Sequence, residues 1–184
     1  ILDDTEKEIE IKNIQIVDLG KKLNTALAVK VGELNRYKSE FFGRLRTILG
    51  DRTDIEIVGD RFIFQSEVLF DSGSADLGEE GLAELSKLSR ILLDITRKIP
   101  QDIPWVIQIQ GHTDPRPIKT VRFPSNWELS TARAISVAKV FMIEGLSAAK
   151  ISVAGFAEFQ PLTESIDEAS YRRNRRIEIK LTQP

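Results

Sequence analysis

The chain has 184 residues, 41% of them hydrophobic, enough for one compact domain of about 100 to 150 residues plus an extension. A formal net charge of −2 and a pI near 5.6 argue against nucleic acid as a partner, because phosphate binding draws on a basic face that releases counterions. With no cysteine there is neither a disulfide staple nor a cysteine-ligated metal, and no window reaches the roughly 18 apolar residues of a membrane span.

The chain opens on Ile1 rather than methionine and shows no signal-peptide pattern, so it is read as a soluble fragment of a longer protein. From about Ile9 to Leu49 there is no proline. Across that stretch Ile16, Leu19, Leu23, Leu27, Val31, Leu34, Tyr37, Phe41, Leu45 and Ile48 recur in steps of three and four. The spacing predicts a long amphipathic helix whose stripe is either core of its own domain or a surface between subunits. Two successive four-residue steps, Leu23 to Leu27 to Val31, break a strict heptad and argue against a long regular supercoil. Gly50 and Asp51 punctuate the end of the helix. Residues 1–50 are therefore expected to form an N-terminal helix and linker, a candidate dimerisation segment, with the main domain over 51–184.

Two alternating runs, Ile55 to Val58 and Arg61 to Gln65, flank Gly59-Asp60 and predict a hairpin, since glycine supplies the positive φ of a two-residue turn. Leu69 to Ala75, rich in glycine and serine, reads as an ordered loop. Leu85, Leu88, Leu92, Ile95 and Ile99 predict a second helix stopped by Pro100. Trp105, Ile107 and Ile109 alternate with Val106, Gln108 and Gln110 in a strand ending at Gly111. After a proline-rich loop to Pro124, Ser125-Asn126-Trp127-Glu128 has the form of a capping box that starts a third helix. Ala134, Val137, Ala138 and Phe141 are its apolar stripe and Gly145 its end. Ile151 to Ala154 is the next strand, and a short helix precedes the last strand, Arg176 to Leu181. Ile177, Ile179 and Leu181 take one face of that strand, Glu178 and Lys180 the other. This order predicts an α+β chain, an α/β sandwich with helices on one face of a small mixed sheet.

Three segments stand out: Gly111-His112-Thr113-Asp114 after a strand, Asn126 to Val137 on a helix, and Asn174-Arg175-Arg176 before the last strand. Asp114 lies just past a strand end and Arg133 in the early turns of the next helix, so both can face one cleft. Asn126, Leu129 and Arg133 share one helical face. A carboxylate and a guanidinium so placed suit a zwitterionic amino-acid end, the first accepting from an ammonium and the second forking onto a carboxylate. Their alternative is a mutual surface salt bridge of about 0 to 1 kcal/mol.

The ordered signatures G-H-T-D, N-x-x-L-S-x-x-R-A-x-x-V (Asn126, Leu129, Ser130, Arg133, Ala134, Val137) and N-R-R-I-E-I resemble those of the OmpA-like domain, from about Val58 to Thr182. Arg116-Pro117-Ile118 and the run from Phe123 to Ser130 resemble the longer loop of the MotB branch. Pro115 departs from the asparagine or aspartate usual there, with loss of a backbone donor. The resemblance implies a β-α-β-α-β(β) sheet and a non-enzymatic domain that binds peptidoglycan. Asp114 and Arg133 would hold the meso-diaminopimelate end of the stem peptide. Thr113, Asn126 and Leu129 would lie with them, and Phe70 and Asp71 would form the opposite wall. For the parent it implies a periplasmic domain of an inner-membrane-anchored, stator-type protein, homodimeric and partnered with a MotA-like channel protein through the region upstream. A passive OmpA/Pal-type tether, or an interaction domain that has lost wall binding, are the alternatives, and a wall-cleaving enzyme using Asp114 and His112 is a third.

His112, the one histidine, lacks the paired spacing of a metal site, and no nucleophile elbow accompanies it, so neither a metal, a cofactor nor a catalytic residue is assigned. It is expected to hydrogen-bond within the Gly111 to Asp114 turn. Arg172, Arg173, Arg175 and Arg176 read as a solvated face paired with Asp167 and Glu168, with either Arg175 or Arg176 reaching the cleft. Trp105 and Trp127 read as core or rim packing rather than as platforms for sugar.

Overall fold

The computed structural model describes residues 2–49, 55–100 and 103–184. It divides into two compact units, one running to Tyr37 and the other from Lys38 onward. Helix α1 (Leu2–Leu49) follows from the proline-free amphipathic stretch. In the first unit Ile16, Leu19, Leu23, Leu27 and Val31 are exposed rather than core, between surface pairs such as Lys12 with Glu8 and Lys22 with Asp18. Gly50 and Asp51, and the side chains of Leu34, Phe41, Leu45 and Ile48, lie outside the described residues.

In the second unit, β1 (Ile55–Val58) and β2 (Arg61–Gln65) form the hairpin, with Gly59 at φ +60 in its turn. Phe42, near the end of α1, stacks on Phe62 of β2 at 4.8 Å. A short helix that sequence periodicity did not reveal follows, α2 (Ser66–Leu69), one turn too brief for a repeating pattern. Helix α3 (Glu79–Thr96) buries Leu85, Leu88, Leu92 and Ile95, and ends before Ile99, whose amide closes a turn on Thr96. Strand β3 (Val106–His112) leads to α4 (Asn126–Ile143). The Ser125 hydroxyl caps α4 by accepting from the Trp127 amide at 3.2 Å and donates to the Glu128 carboxylate. Gly145, at φ +108, lets the chain leave it. Strand β4 (Ile151–Gly155), helix α5 (Glu168–Asn174) and strand β5 (Arg176–Thr182) complete the unit.

Among the described residues five strands are ordered β1-β2-β5-β3-β4, with β3 and β4 parallel and the other pairs antiparallel. The last strand of the chain is thus inserted at the centre. Ile107, Ile109, Ile177, Ile179 and Leu181 are fully buried on the face toward α4. Helix and sheet touch most closely at two glycines paired in register, Gly111 of β3 and Gly155 of β4. A Cβ on Gly111 would lie 2.0 Å from the Ser130 carbonyl oxygen, and one on Gly155 2.1 Å from Thr131 Oγ1. Only hydrogen fits there, so the start of α4 is drawn down over the end of β3. This close approach positions the site.

A cleft lined by opposite charges

The cleft, about 650 Å³ in volume, opens where β3 ends, α4 begins and α2 and α5 meet. Phe70, Thr113, Asp114, Asn126, Leu129 and Arg133 line it, as the sequence places them. Asp71 is exposed and does not line the cleft itself, but its backbone carbonyl accepts from Arg133. Glu67, Arg116, Glu168 and Arg175 also line it.

Arg133 is 4% exposed. Its Nε donates to the Ser74 carbonyl at 2.7 Å and its Nη2 to the Asp71 carbonyl at 3.3 Å, while its guanidinium lies 5.2 Å from the centre of the Phe70 ring. Among the described residues no carboxylate pairs with it. Burial pushes its pKa down to about 10, against the opposing pull of Glu67, so it stays charged at neutral pH. Arg133 is therefore a buried cation held by neutral carbonyls.

Asp114, 5% exposed, makes no ion pair with Arg133. Its carboxylate is instead shared by two other arginines. Oδ1 accepts from the Arg116 amide at 2.9 Å, and Oδ2 from Arg116 Nε at 3.0 Å and Arg175 Nη1 at 2.6 Å. Burial alone would raise its pKa, but the bonds from Arg116 and Arg175 outweigh it and hold it below the ordinary aspartate range. The amide donor that Pro115 removes is thus replaced one residue later by Arg116. The Asn126 amide secures this loop by donating to the Arg116 carbonyl at 3.1 Å.

The basic cluster is split by the start of β5. Arg175 enters the cleft, also bonding Glu67 at 2.6 Å and Glu168 at 2.9 Å, whereas Arg176 turns to the other side of the sheet and pairs with Glu178 at 2.6 Å. Arg172 bonds Gln65 rather than an acid, and Asp167 caps α5 through the Ser170 amide rather than pairing with arginine. Arg116, two residues after Asp114, carried a local signal through the turn it closes. Glu67 carried none, lying 108 residues from its partner.

His112 departs from its expected turn-forming role. Neither ring nitrogen has a hydrogen-bond partner among the described residues. The ring is buried on the far side of β3, stacks on Phe156 at 5.1 Å and stands 3.7 Å from Glu178. Burial lowers its pKa to about 4. It lines no part of the cleft, so it forms no acid–base pair with Asp114.

Comparison with known proteins agrees with this architecture. YtxE of Bacillus subtilis is 37% identical over 118 residues, covering 64% of this chain and 46% of that protein. Motility protein B of the same organism is 32% identical over 117 residues, covering 62% and 42%. The chain spans about half the length of the curated relatives it matches. A MotB-like protein from Desulfovibrio vulgaris superposes with a TM-score of 0.71 at 25% identity, covering 85% of this chain and 99% of that one. The cell wall anchor of the T6SS from Pseudomonas aeruginosa gives 0.60 at 29% identity, covering 79% and 96%. The OmpA family profile matches residues 69–175, a segment that holds the cleft residues from Phe70 to Arg175 though not Glu67, and the chain belongs to the OmpA family.

Proposed function

We propose that the cleft binds the meso-diaminopimelate end of a peptidoglycan stem peptide, without covalent chemistry, and so anchors a MotB-like, stator-type envelope protein to the cell wall. The observation that carries this is Arg133, a buried guanidinium with no counter-ion among the described residues. A ligand carboxylate would supply the missing charge, and the fork geometry of arginine suits it. The ligand ammonium would take Asp114, displacing Arg116, whose side chain is 54% exposed, while the more enclosed Arg175 stays. Thr113, Asn126, Leu129 and Phe70 would frame the two charges, with Asp71 acting through its carbonyl.

In the same proposal the domain lies in the periplasm and its parent is held in the inner membrane by a segment upstream, where a MotA-like channel protein would join it. Residues 1–50 would pair two copies, and two clefts on one polymer bind more tightly than one. The exposed apolar side chains of α1 support that pairing. Among the described residues no helix is long and apolar enough to cross a membrane.

Cosedimentation with purified sacculi tests the cleft. Arg133→Gln should lower retention at least about tenfold, the loss expected when one charge-assisted bidentate contact is removed. Binding that survives in a folded Arg133→Gln and a folded Asp114→Ala would overturn the proposal, and release of soluble muropeptides would indicate an enzyme instead.

A further inference from the structure

Beside the cleft the molecule presents an aromatic surface that an amino-acid end would leave unused. Trp127 and Phe159 stack with ring centroids 5.4 Å apart and 27° between their planes. They remain 48% and 64% exposed, so Trp127 sits at the surface as a rim residue would, whereas Trp105 is buried. Aromatic area left in water is unfavourable, and where it is contiguous and rigid it marks a binding surface.

Both rings are tied to the cleft. Trp127 directly follows Asn126, the residue that holds the Arg116 carbonyl, and its amide is capped by Ser125. Phe159 leaves a loop pinned at Ala157, a non-glycine residue at φ +49. The Ala157 carbonyl accepts from the Thr113 amide at 2.9 Å, and its amide donates to Ser130 Oγ at 3.2 Å. Backbone strain of this kind persists only where neighbours over-determine it. Here those neighbours are a cleft residue and the helix that carries Trp127.

We infer that Trp127 and Phe159 form a carbohydrate subsite, which seats one pyranose ring of the glycan from which the stem peptide hangs. This rests on the proposed cleft reading. A sugar turns an apolar C–H face to such rings while its hydroxyls stay in water, and the electron-rich aromatic faces attract those C–H groups. The platform needs no charge, and the stacked pair brings none. Because a branched polymer carries its sugars a short way from its peptide ends, one ligand can occupy cleft and platform together, each raising the effective concentration for the other.

The test is calorimetric titration of the full chain with three soluble probes: the diaminopimelate stem peptide alone, the same peptide on its disaccharide, and a peptide-free oligomer of that disaccharide. The disaccharide-peptide should bind about tenfold tighter than the peptide, a gain in the range of one aromatic contact. Trp127→Ala and Phe159→Ala should each remove that gain and leave the affinity for the peptide unchanged, with Trp127→Phe restoring part of it. No gain from the sugar in the unaltered protein overturns the subsite while the cleft stands. So does capture of an apolar peptide by the platform, which would assign it to a protein partner. If the oligomer binds through Trp127 while the peptide does not bind at all, the cleft reading fails and the subsite survives. If no probe binds, both fail.

Discussion

Arg175 and Asp114 stand 61 residues apart in the chain, yet Arg175 Nη1 donates to Asp114 Oδ2 at 2.6 Å. The same guanidinium bonds Glu67 of α2 and Glu168 of α5, so one side chain joins three elements around the mouth of the cleft. Removing it would leave three carboxylates facing one another. Arg175→Ala should therefore cost about 2 kcal/mol, the scale of a partly buried ion-pair network, read as a shift in urea midpoint at neutral pH. An unchanged midpoint would mean that Arg116 alone suffices to compensate Asp114.

Arg116 has the opposite role in binding if a ligand ammonium takes Asp114. It occupies that carboxylate while resting over the Tyr171 ring at 5.1 Å. Arg116→Ala is expected to tighten binding of a diaminopimelate peptide by a few-fold, since a competing cation is removed. Weaker binding in titration would show instead that Arg116 grips the ligand itself.

Gly111→Ala should be severely destabilising, by roughly 3 kcal/mol or more, because its Cβ would meet the Ser130 carbonyl at 2.0 Å, and backbone cannot move aside as a side chain can. Gly20→Ala in α1 is the control, with nothing within 4 Å of the new methyl. It should gain about 0.5 to 1 kcal/mol of helix stability. Thermal melts of the two variants separate the cases, and a Gly111→Ala protein that melts like its parent would refute the close approach.

Acid sensitivity should centre on His112. In the fold it stays neutral down to about pH 4, whereas in the unfolded chain it titrates near 6.5. Between those values the unfolded state binds the extra proton. Stability should then fall as pH drops from about 6.5 toward 4, by roughly 3 kcal/mol at the lower end. Denaturant titrations at about pH 7.5 and pH 4.5 should show a smaller loss for His112→Phe than for the parent, and equal losses would exclude His112 as the cause. Below that window a further loss comes from Glu178. Burial alone would raise its pKa, but Arg176 outweighs this and holds it below the ordinary glutamate range, so its contribution vanishes as it is protonated.

Much was legible in the residues because the responsible interactions are local. The hairpin at Gly59-Asp60, the cap at Ser125 and the exit at Gly145 are decided within a few residues of backbone and side-chain geometry, and each stands where the sequence places it. Asp114 and Arg133 come to one cleft for the same reason, one at a strand end and the other two turns into the next helix. Tertiary structure decided what those charges touch. Inserting β5 between β2 and β3 carries Arg175 to Asp114 and Arg176 to the opposite side, a choice that two adjacent arginines do not encode. Glu178 and His112 are buried on that opposite side while Trp127 on α4 stays half exposed, since burial follows from which distant segments cover a surface and not from the period of the strand or helix beneath.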